Sequence, residues 1–424
     1  MQGGSNVMKT GVSTATIKCR FCKMPLRRTF VDLGMSPLCE SYVTAENLNK
    51  VEHFYPLHAF VCEHCWLVQL DEYVSASDIF TEYAYFSSYA ESWVEHARRY
   101  ALQMIDRLKL TPQSQVVELA SNDGYLLQHF VKLGIPSLGI EPAANVAKVA
   151  IERGIPTDVL FFGEKTARDL LAKGKSADLL LGNNVLAQVP DLNDFVRGMK
   201  ILLKPHGVIT MEFPHLQRLI EGNQFDTIYH EHFSYFSFIA ADKIFSAHGL
   251  KLFDVEELST HGGSLRIYGC HAERNDQPVL ARASELKQRE LDLGYTRPEV
   301  YSSFDERVKE TKRKLLEFLI AAKRDGKSVV GYGAPGKGNT LLNYCGIRTD
   351  FVSYTVDKNP YKQGRYLPGT RIPILPPDTI ADTRPDYVLI LPWNFRDEII
   401  AQNAYIRQWG GKFVVPIPEV TVLS

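Results

Sequence analysis

Four cysteines fall into two pairs of equal spacing, Cys19-Arg-Phe-Cys22 and Cys62-Glu-His-Cys65. Each pair can turn two thiolates toward one ion. Four thiolates make a closed tetrahedral zinc site with no open position for chemistry. The expected role is therefore structural, and His64, inside the second pair, finds no vacancy there. A thiol–disulfide role fits less well, because neither pair opens a thioredoxin-like βαβ unit. Cys39, Cys270 and Cys345 are scattered along the chain and read as small buried apolar residues.

A second group of residues has the chemistry of a nucleoside site. The run Val117-Glu118-Leu119 leads into the small acidic turn Ala120-Ser121-Asn122-Asp123-Gly124, and the next strand-like run ends in Glu141. A carboxylate in that place can accept hydrogen bonds from both ribose hydroxyls. The small residues Ala120 and Asn122 let backbone approach a ligand closely. Glu118 and Asp123 suit a cation, and GxGxxG is missing at 120–125. S-adenosylmethionine, with its sulfonium and amino group and no phosphate, fits this turn better than NAD. Asn183 and Asn184 end the following long strand, where open α/β sheets bind ligands.

A third group is Ile228-Tyr229-His230-Glu231-His232-Phe233-Ser234-Tyr235, which holds two imidazoles, a carboxylate and two phenols. His232 can take a proton near neutral pH. Glu231 can orient an imidazole, and Tyr229 can hydrogen-bond a developing enolate oxygen. Residues two apart share a side of an extended chain, which would pair Tyr229 with Glu231 and His230 with His232. A second metal site is the competing reading, but HExxH is absent.

The last group lies near the C-terminus. Gly331, Gly333 and Gly336 fit GxGxxG after a strand, and Asp357 ends the next strand where a ribose-binding acid belongs. Pro335 removes an N–H from that loop, and Lys337 adds a cation suited to a phosphate. Gly338 stands where a Walker motif needs Ser or Thr. Either a nucleotide-diphosphate or NAD fits this loop. Tyr332, Lys337 and Asn339, with Trp393 and Arg396 after a later strand, are the candidate substrate contacts.

Alternating elements must position these groups. Strands are expected near 115–120, 137–141, 177–182 and 207–213, with helices near 124–133, 143–153, 164–173 and 191–203. Such alternation means βαβ units and a parallel sheet. Leu203-Lys-Pro-His-Gly207 reads as a turn. The segment 214–238 reads as irregular, followed by a short helix and a hairpin at 250–268, as at the end of a class I methyltransferase sheet. A helix at 92–109 precedes the alternation, and charged helical sequence at 275–326 follows it. The expected divisions are a disordered tail at 1–16, a zinc-binding domain at 17–77, a donor-binding domain at 78–275, and a helical bridge with a second nucleotide-type fold at 276–424.

The formal net charge of −1 over 424 residues supplies no positive field for nucleic acid or an anionic membrane. No apolar run of about 18 residues is present to span a bilayer. The first residues lack the apolar core of a secretory signal, so a cytoplasmic protein is expected.

In order, the two CxxC pairs, Glu-Leu-Ala-Ser-Asn-Asp-Gly, Gly-Asn-Asn-Val-Leu-Ala, Tyr-His-Glu-His and Gly-Tyr-Gly-Ala…Lys-Gly-Asn occupy nearly the whole chain. This combination resembles the sugar C-methyltransferases of deoxysugar biosynthesis, as in the tetronitrose pathway. The resemblance implies an α/β chain: a small zinc-binding N-terminal domain, a class I methyltransferase Rossmann-like domain, and a C-terminal Rossmann-like domain that helps hold a sugar nucleotide. It implies methylation of a nucleotide-linked 4-keto-deoxysugar at C-3′ (C-5′ stays open) in an antibiotic pathway; dTDP as the carrier and a monomeric enzyme are expected, with the nucleotide base and the oligomeric state left open by the sequence. It further implies His232 as base, Tyr229 and Glu231 as its supports, and Tyr83 lining the site. Gln188 departs from the pattern, which often has His there; an amide is no general base. The competing functions are an NAD-dependent sugar-nucleotide oxidoreductase and a nucleic-acid methyltransferase docked through its zinc knuckles.

Overall fold

The computed structural model describes residues 17–75, 79 and 86–424. The tail at 1–16 and Tyr83 lie outside them. The chain builds three sheets. The central one has seven strands in the order Leu250–Leu258, Ser264–His271, Leu203–Pro214, Ala177–Asn183, Val116–Leu119, Ser137–Ile140, Thr157–Asp158. Only Ser264–His271 runs against the others. This is the class I methyltransferase arrangement. The chain winds outward from Val116–Leu119 in one direction and then in the other. The reversal lies between Val116–Leu119 and Ala177–Asn183, where such sheets open a ligand crevice.

The crossovers follow from the pattern. Leu192–Leu202 buries Leu192, Phe195, Val196, Met199 and Leu202, one face at helical spacing. Asp191 caps it by accepting from the Asp194 N–H at 3.0 Å. The lead-in helix Glu91–Leu108 buries Trp93, Ala97, Tyr100, Ala101 and Met104, and Lys109 in the left-handed region ends it. The turn expected at 203–207 is instead a bulge within the long strand Leu203–Pro214: the register against Ala177–Asn183 shifts there, and Gly207 lies so close to the Ala177 carbonyl that a Cβ would sit 2.7 Å from it.

The C-terminal sheet has six strands, Ile374–Leu375, Thr355–Val356, Val329–Tyr332, Tyr387–Ile390, Lys412–Val415 and Thr421–Leu423, all parallel except the last. The N-terminal sheet is antiparallel, with Arg28–Ser36, Tyr55–Val61 and Val68–Leu70 joined by a fourth strand from far along the chain, Ser234–Tyr235. The segment 214–238, expected to be irregular, thus contains the helix Leu216–Glu221 and this strand. Period-two patterning over two residues is too short to recognise in a sequence.

The N-terminal sheet shares a core with the C-terminal domain. Phe30 stacks on Phe304 at 4.5 Å, at the start of the helix Phe304–Arg324, whose buried stripe runs through Val308, Leu315 and Leu319. Losing a ring as buried as Phe30 should cost about 3–5 kcal/mol.

Candidate active site

The four cysteine sulfurs meet within 4.8 Å of one another. The Cys19–Cys65 and Cys22–Cys62 sulfurs are 3.5 Å apart, close to the ~3.8 Å edge of a tetrahedron with zinc–sulfur bonds of about 2.3 Å. Each pair is followed by a residue in the left-handed region, Lys23 and Trp66, which closes the knuckle with a backbone bond back to Cys19 and Cys62. The donor set fits zinc without rearrangement. Gln69 Nε2 donates to the Cys19 sulfur at 3.2 Å, and Gln69 Oε1 accepts from the Arg20 N–H at 2.7 Å. The Arg20 guanidinium reaches the carbonyls of Leu70 and Pro190.

The donor cleft opens at the reversal point, with about 1000 Å³ of empty space. Ala120, Asn122, Glu141, Asn183 and Asn184 line it, and Leu160, Phe161, Phe162 and Val185 supply apolar wall. Ala120, Asn122 and Gly124 all take positive φ, which folds the turn under the ligand site. Side chains are excluded beneath it: a Cβ on Gly124 would lie 2.3 Å from Ile155, and one on Gly139 2.3 Å from Ser121. Glu141 accepts the N–H groups of Asn122 and Ala143, each at 2.8 Å, so its carboxylate is fixed at the wall. Burial raises its pKa against those two bonds. Asn183 Nδ2 and Asn184 Oδ1 are buried without a partner, as expected of groups awaiting a polar ligand.

Glu118 and Asp123 are not among the residues lining the cleft. Glu118 is fully buried near the end of its strand, and neither oxygen has a partner. Burial, then the charges of Glu141 and Asp123, pushes its pKa well up. Asp123 holds the lead-in segment: Ser88 donates to it through N–H and hydroxyl, and Arg153 lies 3.4 Å away. Ser87 donates to Asn122 Oδ1 at 2.9 Å and lines the cleft.

The Tyr-His-Glu-His segment is a turn, not an extended chain. The His232 N–H bonds to the Tyr229 carbonyl at 2.9 Å. That closure regroups the side chains. Tyr229 packs on His232 with centroids 4.1 Å apart, while Glu231 lies 3.7 Å from the Cys39 sulfur. His230 leaves the site, bonding the Pro56 carbonyl at 3.2 Å and meeting Tyr55 edge-on. His232 Nδ1 faces the Thr227 carbonyl at 3.1 Å. A carbonyl only accepts, so Nδ1 carries the proton and Nε2 its lone pair. Burial drives the His232 pKa down to about 4, helped by the nearby His261 and Lys337. The turn hangs from the N-terminal sheet through Gln69↔Ser234 and Val68↔Tyr235 and through the Leu70 N–H on the Phe233 carbonyl.

From the C-terminal domain comes Lys337, over the Trp393 ring at 4.6 Å and bonded to Asn394 Oδ1 at 2.7 Å. Burial lowers its pKa to about 8, against the attraction of Asp226. Asp226 accepts from the Trp393 indole at 2.7 Å, and burial raises its pKa to about 6. Asn339 donates through Nδ2 to the carbonyl of Cys39, while its Oδ1 is buried without a partner. Tyr332 is buried in the C-terminal core. Arg396 pairs with Asp397 and lines a separate surface hollow with Glu419 and Thr421. The GxGxxG loop closes on protein: Cβ atoms on Gly333 and Gly336 would meet Pro392 at 2.5 Å and the Cys39 sulfur at 2.9 Å. Tyr42 and Lys362 both donate to Ala334 O.

Similarity to known proteins agrees with this geometry. Residues 19–80 match a zinc-binding domain model, 93–255 a methyltransferase domain, and 259–418 a C-methyltransferase C-terminal domain. The chain is 36% identical over 410 residues to the C-methyltransferase NovU of Streptomyces niveus, covering 96% of this chain and 97% of that one. This chain belongs to the C-methyltransferase family. It is also 28% identical over 99 residues to a ubiquinone biosynthesis O-methyltransferase of Bartonella bacilliformis, covering 22% of this chain and 39% of that one. A magnesium protoporphyrin IX methyltransferase of Synechocystis, solved with S-adenosylmethionine, overlays on 42% of this chain and 78% of its own at 12% identity and a TM-score of 0.32.

The enzyme is thus an S-adenosylmethionine-dependent C-methyltransferase with a zinc-binding head. Several of its site residues escape a reading of motifs. Arg20 ties the first knuckle to Pro190 on the donor wall. Cys39, Asp226 and His261 come to the site from three separate segments. Gln188 lines the donor cleft. Among the described residues no helix is long and apolar enough to cross a membrane.

Proposed function

We propose that this C-methyltransferase alkylates the carbon beside the ketone of a nucleotide-linked 4-keto-deoxysugar, C-3′ with dTDP as the carrier. The observation that carries the proposal is a buried imidazole whose Nδ1 proton is fixed on the Thr227 carbonyl, leaving the Nε2 lone pair of His232 beside the Tyr229 ring. An acidic phenol or amine acceptor needs little help to react; carbon needs a base.

S-adenosylmethionine would supply an electrophilic methyl on a sulfonium, held by Glu141, Asn183 and Asn184 and by the small turn at Ala120–Asn122. The acceptor ketone acidifies the neighbouring C–H. His232 Nε2 takes that proton, and the electron pair moves onto the carbonyl oxygen. Tyr229, packed on His232, stabilises the charge. The enolate carbon is then the nucleophile for the methyl that S-adenosylmethionine would supply, the donor leaving as a neutral thioether. Lys337 and Trp393 hold the nucleotide end, Lys337 as a cation toward a diphosphate. Glu231 steadies the turn, and Tyr83 is proposed to line the acceptor side. Zinc has no chemical part; through Gln69 and the strand Ser234–Tyr235 it fixes where His232 stands.

The test is incubation with methyl-labelled S-adenosylmethionine and a panel of nucleotide-linked 4-keto-, 3-keto- and non-keto-sugars, with the label located by NMR. Label on C-3′ of a 4-keto acceptor is expected. Label on C-5′ changes the position alone. Label on oxygen or nitrogen, or transfer to non-keto sugars, defeats the proposal.

A further inference from the structure

The turn Thr260–Gly262 joins the two hairpin strands of the central sheet and lies where the donor cleft meets the C-terminal domain. Its middle residue, His261, is not glycine, yet it holds φ 54° and ψ 23°. Gly262 and Gly263 follow at φ 88° and 119°. Such backbone persists only where the surroundings hold it. They do so at both ends. Thr260 donates to Glu212 Oε1 at 2.9 Å, and the Gly262 carbonyl accepts from Gln224 Nε2 at 2.8 Å. A Cβ on Gly262 would lie 2.6 Å from the Trp393 ring, so the turn is pressed against the proposed nucleotide contact.

The imidazole itself touches the donor side. Asn184 Nδ2 lies 3.1 Å from His261 Nε2, and Trp93 meets the ring edge-on at 5.0 Å. Both neighbours line the donor cleft. An amide nitrogen only donates, so Nε2 accepts and Nδ1 carries the ring proton. His261 is therefore a neutral imidazole with a donor N–H to offer. Burial and Lys337 keep it uncharged, with a pKa down to about 4, although Glu212 pulls the other way. On the other side the turn packs against Trp393, whose ring Lys337 covers.

We infer that His261 is a further catalytic residue, whose Nδ1–H donates a hydrogen bond to the acceptor's carbonyl oxygen and to the enolate oxygen that replaces it, with Asn184 as the positioning residue that fixes the tautomer. The two histidines then divide the work by tautomer. His232 offers a lone pair to the carbon-bound proton, and His261 offers a proton-bearing nitrogen to the oxygen that gains the electron pair. A neutral donor is suited to this: it stabilises the oxygen charge without protonating the enolate and quenching the carbon nucleophile. Asn184 touches both the donor cleft and His261, so an occupied donor site and an aligned oxyanion donor are mechanically linked. This inference rests on the proposed enolate chemistry.

The test compares His261→Leu and His261→Gln with wild type in the full-length zinc-loaded enzyme. Four quantities are read: kcat, the Kd for S-adenosylmethionine, the Kd for dTDP, and the rate of deuterium entry from D2O at the alkylated carbon with S-adenosylhomocysteine bound. Loss of one oxyanion donor predicts that His261→Leu lowers kcat by about 10²–10³-fold. Deuterium entry falls in parallel, while both Kd values move less than about 3-fold. His261→Gln, which keeps a donor N–H, regains at least about tenfold of the lost rate. A His261→Leu enzyme with kcat within about 3-fold of wild type overturns the inference. So does one whose loss is wholly a weaker Kd for S-adenosylmethionine, which marks a wall residue. A wild type that exchanges no deuterium and methylates no keto sugar instead defeats the enolate reading, and this inference falls with it.

Discussion

The donor cleft and the acceptor side are built in opposite ways. All the cleft's polar contacts except Ser87 come from residues 120–190, on successive strand ends of one sheet. The proposed acceptor side draws on Cys39, Asp226, Tyr229, His232, His261, Lys337 and Trp393 from every domain, with the strand Ser234–Tyr235 completing the N-terminal sheet. The first site can form once one sheet folds. The second exists only when three domains have docked. Binding the donor and using it should therefore respond differently to damage.

The largest difference is expected for His232→Asn. It removes the lone pair but keeps a donor toward Thr227, and kcat should fall by about 10³-fold or more. S-adenosylmethionine affinity, read by calorimetry, should stay within a factor of about 3.

Zinc removal comes next. A chelator or Cys62→Ser frees Gln69 and Arg20, and with them the strand that carries His232. Turnover should then fall at least about tenfold more than donor affinity does. Equal loss of both would mean that the zinc domain supports the central sheet as much as the acceptor side.

The converse substitution is Glu141→Gln. It weakens a charge-assisted contact to the ribose and should raise the Kd for S-adenosylmethionine by roughly 10–100-fold, about 1.5–3 kcal/mol. At saturating donor, kcat should change little.

A smaller effect lies in the pH profile. Lys337 has its pKa lowered to about 8, so it is cationic below that value and loses its proton as pH rises through it. His232, held near 4, stays a competent base throughout the neutral range. The rate should fall as pH rises through about 8, where Lys337 loses its proton. Lys337→Arg, whose guanidinium does not titrate there, should remove that alkaline limb. The smallest effect is expected for Gln188→His, on the donor wall, with kcat within about 3-fold of wild type and no new acidic limb.

The same contrast explains what could be read from the chain alone. The donor side was legible because each motif is local: a strand, a tight turn and a helix fix where Glu141 or Asn184 must point. The paired cysteines were legible because two equal spacings define one tetrahedron. On the acceptor side only residue types showed. Tyr229 and Glu231 were assigned to one face by extended-chain alternation, but the 232-to-229 backbone bond closes a turn and pairs Tyr229 with His232. Gly331, Gly333 and Gly336 suggested a phosphate loop, yet their missing side chains admit Pro392, Thr355 and Cys39. An isolated sequence cannot show that the Asn339 Nδ2 bonds the Cys39 carbonyl, or that Arg396 lines a hollow with Glu419 and Thr421. His261 gave no signal at all: a lone histidine before two glycines acquires meaning only when the hairpin folds it against Asn184.

The central claim is that His232 removes the carbon-bound proton before the methyl moves. It is tested most directly by following deuterium from D2O into the keto-sugar carbon with S-adenosylhomocysteine in the donor cleft. Wild type should wash deuterium in at the carbon that is later methylated, and His232→Asn should do so at least about 10²-fold more slowly while still binding both ligands. Exchange by the variant at the wild-type rate would contradict the account and move the base to another group.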